Sequence, residues 1–430
     1  MSILAQVKGK VTDTQKNPLS FVSVYLEKTL TGTTTNDNGG YVLKIQKKGK
    51  HTIIFQTLGY QTLKKEVNVT SFPFELNIEL EEENIQLEEV VISTKDNPAN
   101  AIIRNVIANK DKITDKFSKY TANFYSRGLY KIKEAPEKWL GLSLGDFGGG
   151  LDSTRSGIVY LSETVSEIKF QKKPKKFKEK IIASKVSGED RGISFNRAED
   201  ANVNFYENRV TFVNDLISPI STNAFSYYTF KLEGTFYDKN GKLINKIKLV
   251  PKRKKERVFN GFLYIVEDDW AIYGIDVSVT GTQVNIPMVD VLHLKQSYNY
   301  SETIDAWVLI SQSIDFKVVF FTFKFDGRFS SAYSEYDFSP NYVENTFTNE
   351  VLSFEKEATN KDSIFWNQSR PIALACVSHK LAKGSPPSGV LKVPLTFFTN
   401  PDLAETFKCF PVINLPPPEP AIKIGKALYW

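Results

Sequence analysis

Cysteine, methionine and histidine are scarce in this chain of 430 residues, with two, two and three copies. Both cysteines, Cys376 and Cys409, fall near the C-terminal end, so disulfides do not hold the body of the chain together. The histidines are His51, His293 and His379, and none has a ligand-type neighbour at helical spacing. No His-Glu-x-x-His or His-x-x-Glu occurs, which excludes the recognised zinc motifs of peptidases, and no metal or cofactor site is expected. His51 begins a strand and His293 lies within one, so both are read as structural or surface histidines. No stretch reaches the roughly eighteen apolar residues of a membrane-spanning helix. A strong charge of one sign is missing too. A net charge of +6 over this length favours solubility, and no nucleic-acid partner is expected.

Aromatic residues, in contrast, are plentiful, and 31 Phe and 19 Tyr favour sheets over helices. The length suits two folded domains with connecting pieces. The plainest pattern runs from Tyr227 to Val279. Phe230, Leu232, Gly234 and Phe236 alternate with Lys231, Glu233 and Thr235, the period of a strand with one buried face. Asn240-Gly241 then predicts a tight turn in which both central residues take positive φ, with Leu243 to Val250 folding back antiparallel. A charged connection from Pro251 to Arg257 leads to a second hairpin, Phe259 to Val266 and Trp270 to Val279, about Asp268 and Asp269.

The first domain, residues 7–82, is all-β by pattern. Val7, Gly9 and Val11 alternate with polar residues, Leu19 to Leu26 forms the next strand, and Asn36 to Gly40 marks a hairpin turn before Tyr41, Leu43 and Ile45. With His51 to Leu58 and Leu76 to Leu80 the count reaches roughly seven short strands, that of an immunoglobulin-like sandwich. The series Gly9-Lys10-Val11-Thr12-Asp13, Pro18-Leu19, Val22-Ser23-Val24, Thr35-Asn36-Asp37-Asn38-Gly39-Gly40-Tyr41 and Leu58-Gly59-Tyr60 resembles the carboxypeptidase-regulatory-like domain. That resemblance implies a transthyretin-like β-sandwich of a kind found at the start of many envelope proteins, and it implies no peptidase activity. Two readings stand for residues 1–6: the end of a secretory signal whose upstream part is missing, or a short disordered start.

Residues 83–96 read as a linker, whose Leu87 to Ile92 extends the resemblance. Asn97-Pro98 then opens a helix with Ala101, Ile102, Val106 and Ile107 on one stripe and Lys110, Lys112 and Lys116 near its end, where cations suit the dipole. The second domain, residues 97–370, is expected to be α+β: a curved antiparallel sheet with a covering helix. Val159 to Phe170 reads as a strand pair, and Val289 to Tyr300, Ala306 to Phe316 and Val318 to Phe329 as strands. In the last of these, Val319, Phe321, Phe323 and Phe325 oppose Val318 and Phe320, which suggests burial on both faces or a face that covers a groove. Tyr160 to Val165, Ala183 to Gly188, Ile247 to Arg253 and Tyr264 to Trp270 are similar to an uncharacterised family. In it a regulatory-like sandwich precedes this region and an outer-membrane β-barrel follows. The sheet also resembles lipoprotein-carrier folds, which implies an apolar groove.

Trp366 to Pro371 still resembles that family's approach to its barrel, but residues 371–430 break the pattern. They carry Cys376, a Ser-Pro-Pro-Ser loop and the triple proline Pro416 to Pro418. A frame change near Ala373 that removes the barrel is one reading, and a genuine Pro-rich tail is the other.

Few motifs point to chemistry. Gly141-Leu142-Ser143-Leu144-Gly145 matches the nucleophile-elbow pattern, but Asp146-Phe147-Gly148-Gly149-Gly150 follows where a helix is required. Ser166-x-x-Lys169 is a weaker echo of another nucleophile motif, and Gly148 to Gly150 read as a flap because they lack the Lys-Ser/Thr ending of a phosphate loop. Lys172, Lys173, Lys175 and Lys176 open one basic run, and Lys252 to Arg257 form another. Either could meet anionic lipid, and either could be a solvated loop between strands. The sequence thus predicts a non-enzymatic binding or structural protein of the cell envelope on the periplasmic face of the outer membrane, with an envelope protein, lipid or glycan as partner. No catalytic residue is assigned. The alternatives are a serine hydrolase acting through Ser143 and a glycan-binding accessory module.

Overall fold

Asparagine before proline starts the longest helix as expected. Asn97 caps it by accepting a hydrogen bond from the Ala99 amide, and Pro98, with no amide to satisfy, occupies its first position. The structure, a computed structural model, describes residues 6–371 apart from positions 30, 46, 84–96, 140–141, 146–150, 188–194, 213 and 254. The expected linker, the glycine flap and the tail after Pro371 therefore lie wholly or largely outside the described residues.

Strands dominate. The N-terminal part holds β1 (Gln6–Asp13), β2 (Ser23–Leu26), β3 (Gly32–Thr34), β4 (Gly40–Lys44), β5 (Gly49–Gln56), β6 (Leu63–Val69), β7 (Phe74–Glu75) and β8 (Ile78–Leu80). Helix α1 (Pro98–Lys116) follows. It leads into β9 (Lys119–Lys133), β10 (Lys138–Trp139), β11 (Leu142–Ser143), β12 (Gly157–Gln171), β13 (Lys176–Ser187), β14 (Arg209–Phe212) and β15 (Asn214–Ile217). After the short α2 (Ala224–Tyr227) come β16 (Tyr228–Tyr237), β17 (Leu243–Pro251), β18 (Asn260–Val266), β19 (Ala271–Thr280), β20 (Val289–Ser301), β21 (Ala306–Phe320), β22 (Phe323–Asp337), β23 (Leu352–Phe354) and α3 (Ser363–Ser369).

The first eight strands form two four-stranded sheets, β4-β1-β7 with β8 also on β1, and β3-β2-β5-β6. Val7, Val11, Val24, Leu43, Ile53 and Phe55 fill the space between them, as alternation along each strand requires. The second region is built on one eleven-stranded sheet in the order β16-β17-β18-β19-β20-β21-β22-β9-β12-β13-β23. The mainly β architecture, sandwich first and large antiparallel sheet second, is that expected from the pattern.

Four expectations need correction. Residues 159–170 belong to a single long strand, β12, paired with β9 on one side and β13 on the other. The β16–β17 turn needs only one positive φ, at Gly241, because the Asp238 carboxylate accepts the Asn240 and Lys242 amides and shapes the rest. Lys110 does not serve the helix dipole; it is buried and donates to Asn208 Oδ1 at 2.5 Å and to the Ile220 carbonyl at 3.4 Å. Finally, residues 318–325 are not one strand. The chain reverses at Phe321 and Thr322, with Phe320 and Phe323 paired across the turn, a site that none of the usual turn residues marks.

One face of the large sheet carries α1 and the irregular segment 195–227. Ile103 and Val106 of α1, Phe205, Phe212 and Leu216 of the segment, and Leu263, Ile275, Leu292 and Phe316 of the sheet join one cluster. The apolar groove implied by the lipoprotein-carrier likeness is therefore occupied by the chain itself. Burial of this face is the main source of stability, since apolar area removed from water contributes about 25 cal/mol per Å².

Candidate functional site

The opposite face of the large sheet meets the sandwich through small and polar side chains. Residues that point away from the sandwich core, Ser23 and Tyr25 on β2 and Gln56 on β5, are buried there. Ser23 Oγ lies 3.0 Å from Ser311 Oγ, and Gln56 Nε2 donates to the Tyr298 carbonyl at 3.4 Å while its Oε1 accepts from the Tyr25 hydroxyl at 2.7 Å. Arg328 bridges the layers by pairing with Asp315 on β21 and Asp37 in the sandwich, its guanidinium 4.9 Å from the Phe21 ring. Leu58 packs onto Gly274, where a Cβ would stand 2.6 Å from Leu58 Cδ2, so a larger residue there would displace the Leu58 side chain. Two shallow clefts, each with a volume of only about 10 Å³, run along this seam. The buried hydroxyls of Thr33, Thr34 and Ser313, which line them, have no hydrogen-bond partner among the described residues.

Beside the seam lies a histidine–carboxylate pair. His293 Nε2 is 2.5 Å from Asp276 Oδ1, and Lys295 Nζ is 3.4 Å from Asp276 Oδ2. Burial pushes the Asp276 carboxyl up, but the His293 hydrogen bond and the neighbouring Lys295 charge outweigh it and hold the group below its ordinary range. Such a pair becomes a base for acyl transfer only with a hydroxyl on the imidazole. The adjacent Ser278 instead directs its hydroxyl to the Asn260 carbonyl at 3.4 Å. This pair was not foreseen, because residues 276 and 293 meet only through the antiparallel register of β19 and β20.

Ser143 is exposed at the end of β11, where Lys138 pairs with it across a two-residue ladder. That is a surface hairpin, not the strand-to-helix elbow that the motif requires. Gly141 and Asp146 to Gly150 lie outside the described residues. Ser166 is buried and donates to Glu179 Oε1 at 2.7 Å, so its hydroxyl is committed within the sheet, whereas Lys169 lies on the ladder beside Lys178. His51 Nε2 contacts the Lys47 carbonyl at 2.7 Å. His379, Cys376 and Cys409 lie outside the described residues. Among the described residues no three His, Cys, Asp or Glu side chains converge as a metal site would require.

Two glutamates are buried in the large sheet. Glu163, 2% exposed, accepts from Arg370 Nε at 2.7 Å and Nη2 at 2.5 Å, and from the Tyr125 hydroxyl at 2.7 Å. Glu179, 1% exposed, has the Ser166 hydroxyl and the Ala198 amide at 3.1 Å as its partners. Burial pushes the Glu179 carboxyl up, against the pull of those hydrogen bonds. Each acid fastens a distant piece of chain to the sheet: Glu163 the exit of α3, and Glu179 the start of segment 195–227.

The basic runs sit at opposite ends of the sheet. In the first, Lys172 lies 2.6 Å from Asp115, Lys173 3.9 Å from the same carboxylate, and Lys176 5.8 Å from the Phe347 ring, while Lys175 is exposed. In the second, Lys252 donates to the Phe225 carbonyl and Arg253 pairs with Glu256. No helix among the described residues is long and apolar enough to cross a membrane.

Two family models match the chain. A CarboxypepD_reg-like domain covers residues 7–92, and a family of unknown function, DUF5686, covers residues 102–336. No curated protein matches. Among solved structures, a DUF1329 family protein from Desulfovibrio piger is 9% identical, with 60% of this chain and 100% of that one covered at a TM-score of 0.25. A LolA superfamily protein from Nitrosomonas europaea is 10% identical, with coverage of 58% and 98% and a TM-score of 0.18. A cohesin–X-dockerin chain from Acetivibrio cellulolyticus is 20% identical over 17% of this chain at a TM-score of 0.14, and this chain spans about half of its length, 52%. With the 102–336 match extending over more than half of its residues, the chain belongs to the DUF5686 family and carries a CarboxypepD_reg-like domain ahead of that region.

Proposed function

We propose that the chain is a non-enzymatic binding and structural protein of the cell envelope, the periplasmic part of an outer-membrane barrel protein. In this reading the sandwich and the sheet act as one platform for an envelope protein, lipid or glycan. The observation that carries it is the use made of the buried polar groups. Glu163 and Glu179 fasten chain segments, Ser166 serves Glu179, and the seam residues Ser23, Gln56 and Arg328 join two layers. Polar groups out of water are costly unless paired, and here the pairing secures relative position. The CarboxypepD_reg-like domain supports an envelope setting, because domains of that family stand at the start of many envelope proteins.

Fractionation of cells that make the protein tests the setting. It is expected in the outer-membrane fraction, resistant to external protease in intact cells and cleaved once the outer membrane is opened. Recovery with cytosolic proteins would refute the envelope reading. A fluorophosphonate probe tests the chemistry: no labelling is expected, and labelling abolished by Ser143→Ala would establish the serine hydrolase instead.

A further inference from the structure

Asparagine followed by glycine is prone to lose ammonia, because glycine puts no Cβ in the way when its backbone nitrogen approaches the asparagine side-chain carbonyl carbon. The chain holds three such pairs, Asn38-Gly39, Asn240-Gly241 and Asn260-Gly261. Ring closure also requires the backbone between the two residues to swing, so the fold decides among them.

Asn260-Gly261 is locked within β18, where Gly261 pairs with Leu249 of β17 and Val277 of β19. Asn38-Gly39 lies in a turn, but Gly39 is buried, its amide donating to the Asn36 carbonyl at 2.9 Å and its carbonyl accepting from the Val11 amide at 2.8 Å. A Cβ on Gly39 would stand 2.3 Å from the Val11 carbonyl oxygen, so the backbone is clamped there. Asn240-Gly241 is built on the same plan. Asp238 Oδ1 accepts the Asn240 and Lys242 amides, as Asn36 Oδ1 accepts those of Asn38 and Gly40. Here, however, both residues of the pair are exposed, and among the described residues no heavy atom beyond the chain neighbours lies within 4 Å of the place of a Gly241 Cβ. The Gly241 amide donates to the Asp238 carbonyl at 3.0 Å within the turn, and Asn240 Nδ2 makes a long hydrogen bond of 3.3 Å to Asp238 Oδ2.

We propose that Asn240 is a site of spontaneous deamidation and that its conversion loosens the seam. The Gly241 nitrogen attacks Asn240 Cγ; the N–Cγ bond forms, the Cγ–Nδ2 bond breaks, and the Gly241 amide proton leaves with Nδ2 as ammonia. Water then opens the cyclic imide. Cleavage at Cγ leaves aspartate, and cleavage at the main-chain carbonyl leaves isoaspartate, which adds a carbon to the path of the backbone. Either product places a new carboxylate in the turn of Asp238, itself 8% exposed. Isoaspartate also lengthens a turn that the Asp238 amide closes on the Lys242 carbonyl at 2.9 Å. Lys239 belongs to that turn and donates to the Tyr25 hydroxyl in the seam, so a turn that opens withdraws this contact. The inference does not depend on the envelope reading.

The full chain, folded or in urea, is kept in mildly alkaline buffer at body temperature and its peptides are followed by mass spectrometry. In the folded protein the peptide holding Asn240 is expected to gain one mass unit well before those holding Asn38 and Asn260, and in urea the three are expected to convert at similar rates. Converted protein, separated by anion exchange, is expected to show faster amide exchange in β2 than unconverted protein. Asn240→Gln, whose longer side chain closes a ring far more slowly, is expected to keep its β2 exchange unchanged through the incubation. Conversion of Asn38 or Asn260 first in the folded protein, no conversion at Asn240, or converted protein whose β2 exchanges as before would each overturn the proposal.

Discussion

The two faces of the eleven-stranded sheet are covered in opposite ways. On the helix face, α1 and segment 195–227 bury Phe205, Phe212, Leu216 and Ile103 against aliphatic and aromatic strand residues. On the sandwich face the contact is made largely by Ser23, Tyr25, Gln56, Ser311 and Arg328, with Leu58 packed onto Gly274. Apolar burial is non-directional and large, so the first face supplies stability. Hydrogen bonds gain little net free energy in exchange for those with water but are demanding in geometry, so the second face fixes orientation. The sandwich already has its own core of Val7, Val24, Leu43 and Phe55, and it can dock as a preformed layer. The segment 195–227 has no such core, and its order depends on the sheet.

That difference predicts unequal responses to truncation. Phe205 is fully buried, with its ring 5.0 Å from that of Phe259. Phe205→Ala is expected to lower the unfolding free energy by about 3–5 kcal/mol, read as a fall in the urea midpoint. Gln56→Ala, which removes the acceptor of the Tyr25 hydroxyl proton and a donor to the Tyr298 carbonyl, is expected to lower it by about 1–3 kcal/mol. Its effect should concentrate at the seam, as faster amide exchange in β2 and β5 with β17 to β19 unchanged. If Gln56→Ala proved the more damaging of the two, or its exchange effect spread evenly, the division of labour between the faces would not hold.

Much of this architecture is legible in the sequence where the signal is local. The alternation from Phe230 to Phe236, the Asp238 to Gly241 turn and the Asn97-Pro98 helix start each reflect backbone preferences within a few residues, and each element is present. What escaped has a common cause. Segment 195–227 shares one face of the sheet with α1 and contributes Phe195, Val203 and Phe205, yet outside the four residues of β14 it follows neither a period of two nor one of 3.6. The turn at Phe321 uses residues with strand propensity, so the sequence around it resembles an uninterrupted strand. The seam joins Ser23 to Ser311 across 288 positions, and the His293–Asp276 pair depends on register between strands. Polar residues on a strand read as solvent-facing until the layer that covers them is known.

The smallest effect is expected from a cation at the seam. Lys239 sits in the β16–β17 turn, donates to the Tyr25 hydroxyl, and has its amine 4.4 Å from the centre of the Tyr25 ring. Burial pulls its pKa down from 10.5 to about 8, with Asp238 and Glu27 acting in the other direction. Below about pH 8 the native state carries the full cost of the buried charge. Between about 8 and 10.5 the unfolded chain keeps a proton that the native state has released, so stability rises with pH across that window. The Tyr25 ring favours the ammonium by up to about 2 kcal/mol when desolvated, which makes the rise modest. Lys239→Met keeps the packing and removes the titration. Relative to wild type, its urea midpoint should be higher at pH 7, and the gap should shrink by pH 9.5. A gap that stays constant or widens with pH would mean that the seam holds Lys239 as a well-solvated ammonium, and that the sandwich face is looser there than its hydrogen bonds imply.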